Sequence, residues 1–225
     1  MYLRLHKFFN LFSGLFLNLF YLTKLSSWAI KNRKVKYNDF PSKWDYNKRY
    51  KLYEWIIEQE ALGTAPVNYL EFGVAQGYSF KWFMKQNTNP QSRFYGFDTF
   101  TGLPEDWGPY KKGEFDNGSA PPEIDDSRGR FFQGIFQQTL PGFLPDLDKS
   151  KRNIFMLDAD LYSSTLFTLT SIAPYLKKGD IIFFDEFALP THEFKAFYEF
   201  VQSYYIHLEL IGAANNYYFT AFKVA

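Results

Sequence analysis

The chain contains no cysteine, which excludes disulfide scaffolds, thiolate metal sites and a cysteine nucleophile. Histidine is scarce. Only His6, His192 and His207 offer imidazole, and with no histidine neighbour at ligand spacing a zinc site is not expected. Charge of one sign is lacking too: the net charge of +1 gives no global signal for nucleic acid. Two phosphate-binding signatures are missing, the G-x-G-x-x-G turn and the P-loop G-K-[ST], so no pyrophosphate has to be cradled. No internal repeat or low-complexity tract interrupts the chain. Aromatic residues, by contrast, make up 22% of the sequence and are expected mainly to fill the core. At 225 residues and 46% hydrophobic, the chain fits one well-cored domain with an appendage.

The appendage is residues 1–40. The stretch FFNLFSGLFLNLFYL, Phe8 to Leu22, follows Arg4 and Lys7 and so imitates a signal peptide or an anchor, with SSWA, ending at Ala29, as a conceivable cleavage site. As a helix it would span about 22 Å, against a hydrocarbon core of about 30 Å, too short to cross comfortably. Lys7, Asn10, Gly14 and Asn18 recur every three or four positions and draw a narrow polar stripe. That pattern suits a helix lying at a membrane surface or packing in a homo-oligomer, through residues 1–30. The basic run Lys31 to Tyr37 supports attachment to anionic lipid or serves as a solvated linker. Cofactor supply would then place catalysis in the cytoplasm, at the inner face of the membrane.

Residues 41–225 alternate strand and helix. A helix over Lys43–Leu62 leads into strands at Val67–Phe72, Phe94–Phe97, Arg130–Gln133, Ile154–Leu157 and Ile181–Phe184, with helices at Ser79–Lys85, Ser163–Leu176 and Glu193–Tyr205. This alternation predicts an α/β, Rossmann-like, mostly parallel sheet covered by helices on both faces. Leu208–Gly212 and Tyr217–Val224 follow as an antiparallel pair around the turn AANN. In such a sheet the ligand lies beyond the carboxyl ends of the strands. Four of the five parallel strands deliver acids to that rim: Glu71 with the turn glycines Gly73 and Gly77, then Asp98, then Asp158 and Asp160, then Asp185 and Glu186. A lone acid there is usually a helix cap or a solvated loop charge. Four strand ends that each deliver acids directly after an apolar run are not. Asp98 lies about twenty residues past Gly77, where an acid can accept both ribose hydroxyls of a nucleoside. A nucleoside without phosphates fits S-adenosylmethionine.

Six blocks in order, EFGVAQGYS, YGFDTFTGLPEDW, GIFQQTLPGFL, DADLYSSTLFTL, FFDEF and HEFKAFYEFV, resemble the macrocin O-methyltransferase (TylF-like) family of class I S-adenosylmethionine-dependent enzymes, from about Val67 to the C-terminus. The resemblance implies a seven-stranded sheet with an antiparallel last strand and methyl transfer to a hydroxyl of a sugar, glycan or natural product. It implies that Glu71, the backbone of Gly73, Val74, Ala75 and Gly77, and Ser79 contact the methionine part of the cofactor. Asp98, with Thr99 beside it, would hold the ribose, and Gly134, Ile135 and Phe136 would line the adenine. Asp158, Asp185 and Glu186 match acidic positions that hold a divalent metal, of the magnesium type, in metal-dependent relatives; Glu186 departs mildly from the Asp or Asn of several of them. Asp158 is the preferred general base, with Asp160 either an alternative base or a cap for the following helix.

The long connection Thr101 to Arg130 is either a lid, with Trp107 and Tyr110 stacking on a sugar ring, or a solvated loop. His192 reads as a cap residue near the rim, and His6 and His207 as structural. Two other classes stay open: a nicotinamide or nucleotide-sugar enzyme, and a non-catalytic cofactor-binding or scaffold member of a membrane-associated glycan assembly.

Overall fold

A computed structural model describes residues 12–40 and 43–225. In chain order the elements are α1 (Ser13–Asn32), α2 (Lys48–Gln59), β1 (Val67–Phe72), α3 (Tyr78–Gln86), β2 (Arg93–Asp98), β3 (Gly129–Gln133), α4 (Phe136–Phe143), β4 (Arg152–Leu157), α5 (Tyr162–Ile172), β5 (Ile181–Phe184), α6 (Glu193–Tyr204), β6 (Leu208–Ala214) and β7 (Phe219–Val224). The seven strands form one sheet in the order β3-β2-β1-β4-β5-β7-β6. Strands β1 to β5 pair in parallel, and β7 runs antiparallel to both β5 and β6. This is the expected Rossmann-like fold. The strand order reverses between β1 and β4, which opens the crevice where such sheets bind ligands.

Strands β1 and β5 are buried at every position, as near-continuous apolar runs in a sheet covered on both sides should be. One face carries Leu52, Tyr53 and Ile56 of α2 with Phe80, Phe83 and Met84 of α3. The other carries Leu140 of α4, Leu169 and Ile172 of α5, and Phe194, Phe197 and Phe200 of α6. The aromatic abundance is thus spent on packing: Phe72, Phe97 and Phe132 stack across β1, β2 and β3 at 5.1 and 4.8 Å between ring centroids.

The observed differences from expectation have local causes. Helix α4 went unpredicted because Pro141 lies inside it with Gly142 next, and both are helix breakers; its apolar residues Phe136 and Leu140 nevertheless recur at helical spacing and are buried. Helix α5 stops at Ile172, and Ala173–Tyr175 tightens into a 3-10 turn containing Pro174. The hairpin turn falls at Asn215–Tyr218 rather than at AANN, with Asn215, Asn216 and Tyr217 at φ of 49, 53 and 68°, so β7 begins two residues later than expected.

Helix α1 lies against the domain. Trp28 sits among Phe187, Phe194, Phe197, Tyr217 and Phe222, with centroids 4.8–6.3 Å away, and the Tyr21 hydroxyl donates to Glu199 of α6 at 2.5 Å. Gly14 and Asn18 of the expected polar stripe are exposed, as are the apolar residues around them; Lys7 and Asn10 lie outside the described residues. Among the described residues no helix is long and apolar enough to cross a membrane.

Candidate active site

Beyond the carboxyl ends of β1, β2, β4 and β5 lies a cavity of about 640 Å³, a size suited to a cofactor with a small acceptor. The turn after β1 makes one wall. Gly73 has φ +91°, and a Cβ there would sit 1.7 Å from the Asp158 carbonyl oxygen, so only glycine lets the ends of β1 and β4 approach this closely. Val74 and Ala75 follow, and both donate backbone N–H bonds to Asp98 Oδ2, at 2.7 and 2.8 Å. Asp98 Oδ1 accepts the Phe100 N–H at 2.7 Å. Asp98 therefore holds the glycine turn in place from the end of the neighbouring strand, a task invisible from spacing alone.

Of the residues expected to bind the cofactor, Gly73, Val74, Ala75, Asp98, Thr99, Ile135 and Phe136 line this cavity, while Glu71, Gly77, Ser79 and Gly134 do not. Glu71 is fully buried behind the wall, accepting hydrogen bonds from Ser79 Oγ at 2.6 Å and from the Tyr69 hydroxyl. Burial pushes its carboxyl up to about 7, against the two hydrogen bonds that favour the charged form.

The opposite side is acidic. Asp158, Asp160, Asp185 and Glu186 all line the cavity. Burial, then the charges of Glu186, Asp185 and Asp98, push Asp160 up to about 8. Asp160 also holds φ +57°, a conformation that Asp tolerates better than most residues. It does not cap α5: Leu161 occupies that position and no side chain caps it. Burial, then Asp185 and Asp160, raises Asp158 against the pull of Arg49; its side chain stays 26% exposed, so water moderates that rise. Burial brings Glu186 up to about 7, with Tyr218 holding Oε1 by a hydrogen bond.

Sequence reasoning missed the most informative residue. Arg49 of α2, 6% exposed, places Nη1 3.0 Å from Asp185 Oδ2 and 3.8 Å from Asp158 Oδ2. The Tyr46 hydroxyl lies 2.6 Å and the Tyr50 hydroxyl 3.3 Å from its nitrogens. Tyr53 donates to Asp185 Oδ1 at 2.8 Å. Burial opposes the Arg49 charge, and Asp185 foremost restores it. The available signal was Tyr46, Arg49, Tyr50 and Tyr53 recurring at i, i+3, i+4 and i+7, one helix face.

The three acids expected to hold a metal fit that role poorly. Magnesium demands a near-octahedral shell at about 2.0–2.1 Å, whereas both oxygens of Asp185 are already engaged, one of them by a guanidinium. Glu186 accepts from Tyr218 through Oε1, while its Oε2 is buried without a hydrogen-bond partner. Among the described residues no group of three His, Cys, Asp or Glu side chains is arranged to hold a metal ion.

The connection between β2 and β3 folds over the cavity. Leu103, Pro104, Glu105, Trp107, Tyr110 and Phe115 line it. Trp107 and Tyr110 exchange backbone hydrogen bonds at 2.9 and 2.8 Å and stack their rings at 5.1 Å. Ser163 Oγ of α5 donates to Glu105 at 2.6 Å, tying this loop to the opposite rim. At its far end Arg128 holds Asp126 and the carbonyls of Met84, Asn87 and Asn89. His192 stands edge-on to Trp107 at 6.2 Å; it occupies the cap position of α6 without making a side-chain cap bond.

Such a sheet, with a glycine turn, a strand-end acid and a roofed cavity at its switch point, defines a nucleoside-cofactor enzyme of the Rossmann-like kind. Residues 70–187 match the family described as "Methyltransferase domain", and the chain belongs to that family; it is a methyl-transfer enzyme. Among solved structures it is similar to CalS11, calicheamicin methyltransferase, with 23% identity over 80% of this chain and 78% of that one, at a TM-score of 0.60. The apo form of CalS11, a TDP-rhamnose 3'-O-methyltransferase of calicheamicin biosynthesis, aligns at 25% identity over the same shares with a TM-score of 0.54. The O-methyltransferase NovP covers 95% of this chain and 99% of its own at 18% identity and a TM-score of 0.60. No curated protein sequence matches the chain.

Proposed function

We propose that this chain is an S-adenosylmethionine-dependent O-methyltransferase of the macrocin type, acting on a hydroxyl of a sugar, a glycan or a sugar-bearing natural product. The observation that carries the reading is the cavity itself. It has a phosphate-free glycine turn and Asp98 on one side, a carboxylate cluster on the other, and an aromatic roof of Trp107, Tyr110 and Phe115. The sugar acceptor of CalS11, the relative at 25% identity, supports the acceptor class.

In this reading Gly73 to Ala75 approach the methionine part of the cofactor with their backbone, Asp98 Oδ1 keeps acceptor capacity for a ribose hydroxyl, and Ile135 and Phe136 flank the adenine. Glu71 and Ser79 act from behind, stiffening the turn. Trp107 and Tyr110 cover the apolar face of a sugar ring. When bound, S-adenosylmethionine would supply a methyl group on a sulfonium whose leaving group is a neutral thioether, and a rim carboxylate would take the proton of the acceptor hydroxyl. The protein contributes mainly alignment and a field that the acids shape. Asp158 ends β4 directly. The structure favours Asp160 for the proton, because Arg49 draws on Asp158, while no cation pairs with Asp160 among the described residues and its pKa of about 8 suits a base near neutrality.

Attachment to a membrane belongs to the same reading. The first 38 residues hold seven Lys or Arg and no Asp or Glu, and Leu15, Phe16, Leu19 and Phe20 of α1 are 50–58% exposed. Basic and apolar groups together suit an anionic membrane surface, with the site on the cytoplasmic side.

The test is calorimetry with S-adenosylmethionine and with NAD, followed by mass spectrometry of nucleotide sugars and host glycans incubated with protein and cofactor. Binding of S-adenosylmethionine and a gain of one methylene mass on a sugar are expected. Preference for NAD, or no cofactor binding, would sink the reading.

A further inference from the structure

The acid rim raises a problem of charge. Four carboxylates, Asp158, Asp160, Asp185 and Glu186, line one side of a single cavity, and carboxylates gathered in one site suppress one another's ionisation unless a cation compensates them. Among the described residues Arg49 is the basic side chain that forms ion pairs with this set, with Asp185 and with Asp158. It is a built-in cation. Its guanidinium carbon lies 4.1 Å from the centroid of the Tyr46 ring and 5.0 Å from that of Tyr50, it meets the hydroxyls of both, and it is nearly excluded from solvent. Asp185, 2% exposed, is closed on its second oxygen by Tyr53.

We propose that Arg49 takes the place a divalent metal would hold over Asp158 and Asp185, so that the chain balances its acid rim from within and binds no divalent ion there. A guanidinium satisfies this pair in a way a metal does not: it is planar, permanently charged and anchored through α2. A divalent ion on the same Oδ2 atoms would lie against this fixed charge at low dielectric, where like charges repel strongly. Glu186 stands apart from this pair: Tyr218 donates to its Oε1, and its Oε2 is buried without a hydrogen-bond partner. Arg49 is thereby a positioning residue: it holds Asp185 and Asp158 and forms no ion pair with Asp160 or Glu186. The inference concerns the charge of the cavity and stands whether or not the acceptor is a sugar.

The test titrates Mn²⁺, a paramagnetic probe for magnesium-type sites, into the full chain after EDTA treatment and dialysis, and reads free Mn²⁺ by electron paramagnetic resonance. Wild type is expected to show no stoichiometric binding. Arg49→Leu removes the charge but keeps bulk, and its exposed acids should bind Mn²⁺ at least about tenfold more tightly than wild type, the factor of one lost interaction of about 1.4 kcal/mol. Arg49→Lys keeps a cation and should remain free of Mn²⁺; with the wild-type titration it decides the matter if the Leu variant does not fold. Stoichiometric binding by wild type that Asp185→Asn abolishes would overturn the proposal, and so would a folded Arg49→Leu protein with no gain in affinity. Once an acceptor is known, methyl transfer by wild type should be the same with and without EDTA. A chain that methylates nothing would refute the proposed activity and leave the Mn²⁺ result standing.

Discussion

Replacing Asp98 with Ala separates two tasks that the structure loads onto one carboxylate. Oδ2 holds the N–H groups of Val74 and Ala75, and Oδ1 that of Phe100. Hydrogen bonds to a charged group are worth about 1.5–3 kcal/mol each, but Ala75 is exposed and water replaces part of what is lost. A net destabilisation of about 2 kcal/mol is therefore expected, or roughly 4–8 °C in melting temperature for a chain of this size. Cofactor affinity should fall further, because the turn loses its shape and the ribose loses its charged acceptor. One charged hydrogen bond alone gives a factor of about ten to a hundred, and disorder of the turn adds to it. Asp98→Asn refines the argument. Its amide oxygen can still accept from Val74 and Ala75, while its NH₂ cannot accept from Phe100, so stability should lie near wild type and affinity between the two. Calorimetry with S-adenosylmethionine and a melting curve on each variant decide. Unchanged affinity in a folded Asp98→Ala protein would remove Asp98 from the binding site and refute the two-task account.

Three further outcomes are expected. Gly73→Ala brings a methyl group 1.7 Å from the Asp158 carbonyl oxygen at φ +91°, so the strand ends must part, at a cost of about 3 kcal/mol or more; a melting temperature within about 2 °C of wild type would contradict the packing described. Glu71 should make stability depend on pH. Its folded pKa of about 7 lies above the ordinary 4.5, so the folded chain keeps a proton that the unfolded chain has released, and stability falls as pH rises from about 4.5 to 7, by at most about 3 kcal/mol. Glu71→Gln cannot titrate, so its melting temperature relative to wild type should rise between pH 5 and pH 8, and a constant gap would place the Glu71 pKa elsewhere. Sedimentation with phosphatidylserine vesicles should carry down wild type but not a protein with Leu15, Phe16, Leu19 and Phe20 changed to Ser, whereas the Trp28 anchor keeps both folded; dimers that the same changes dissociate, without lipid binding, would assign the face to a second copy instead.

The sheet was legible in the sequence because its central strands are buried on both faces and read as unbroken apolar runs ending in acids. The chemistry of those acids was half legible. Strand ends lie at one rim by topology alone, so Glu71, Asp98, Asp158, Asp160, Asp185 and Glu186 could be placed near one another without coordinates. Which of them face the cavity could not be read. Glu71 follows the alternation of β1, a strand buried on both faces, to the side where Ser79 of α3 and Tyr69 hold it, and Asp98 bends back to hold the turn. The N-terminal segment declared its apolarity but not its seat on α6, since pairing between distant helices leaves no periodic trace. Arg49 lies 136 positions before Asp185, on a helix whose pattern explains itself as packing. Only the tertiary fold, by packing α2 along the sheet with its first turn at Asp158 and Asp185, brought that cation to the acids and gave their excess charge a partner.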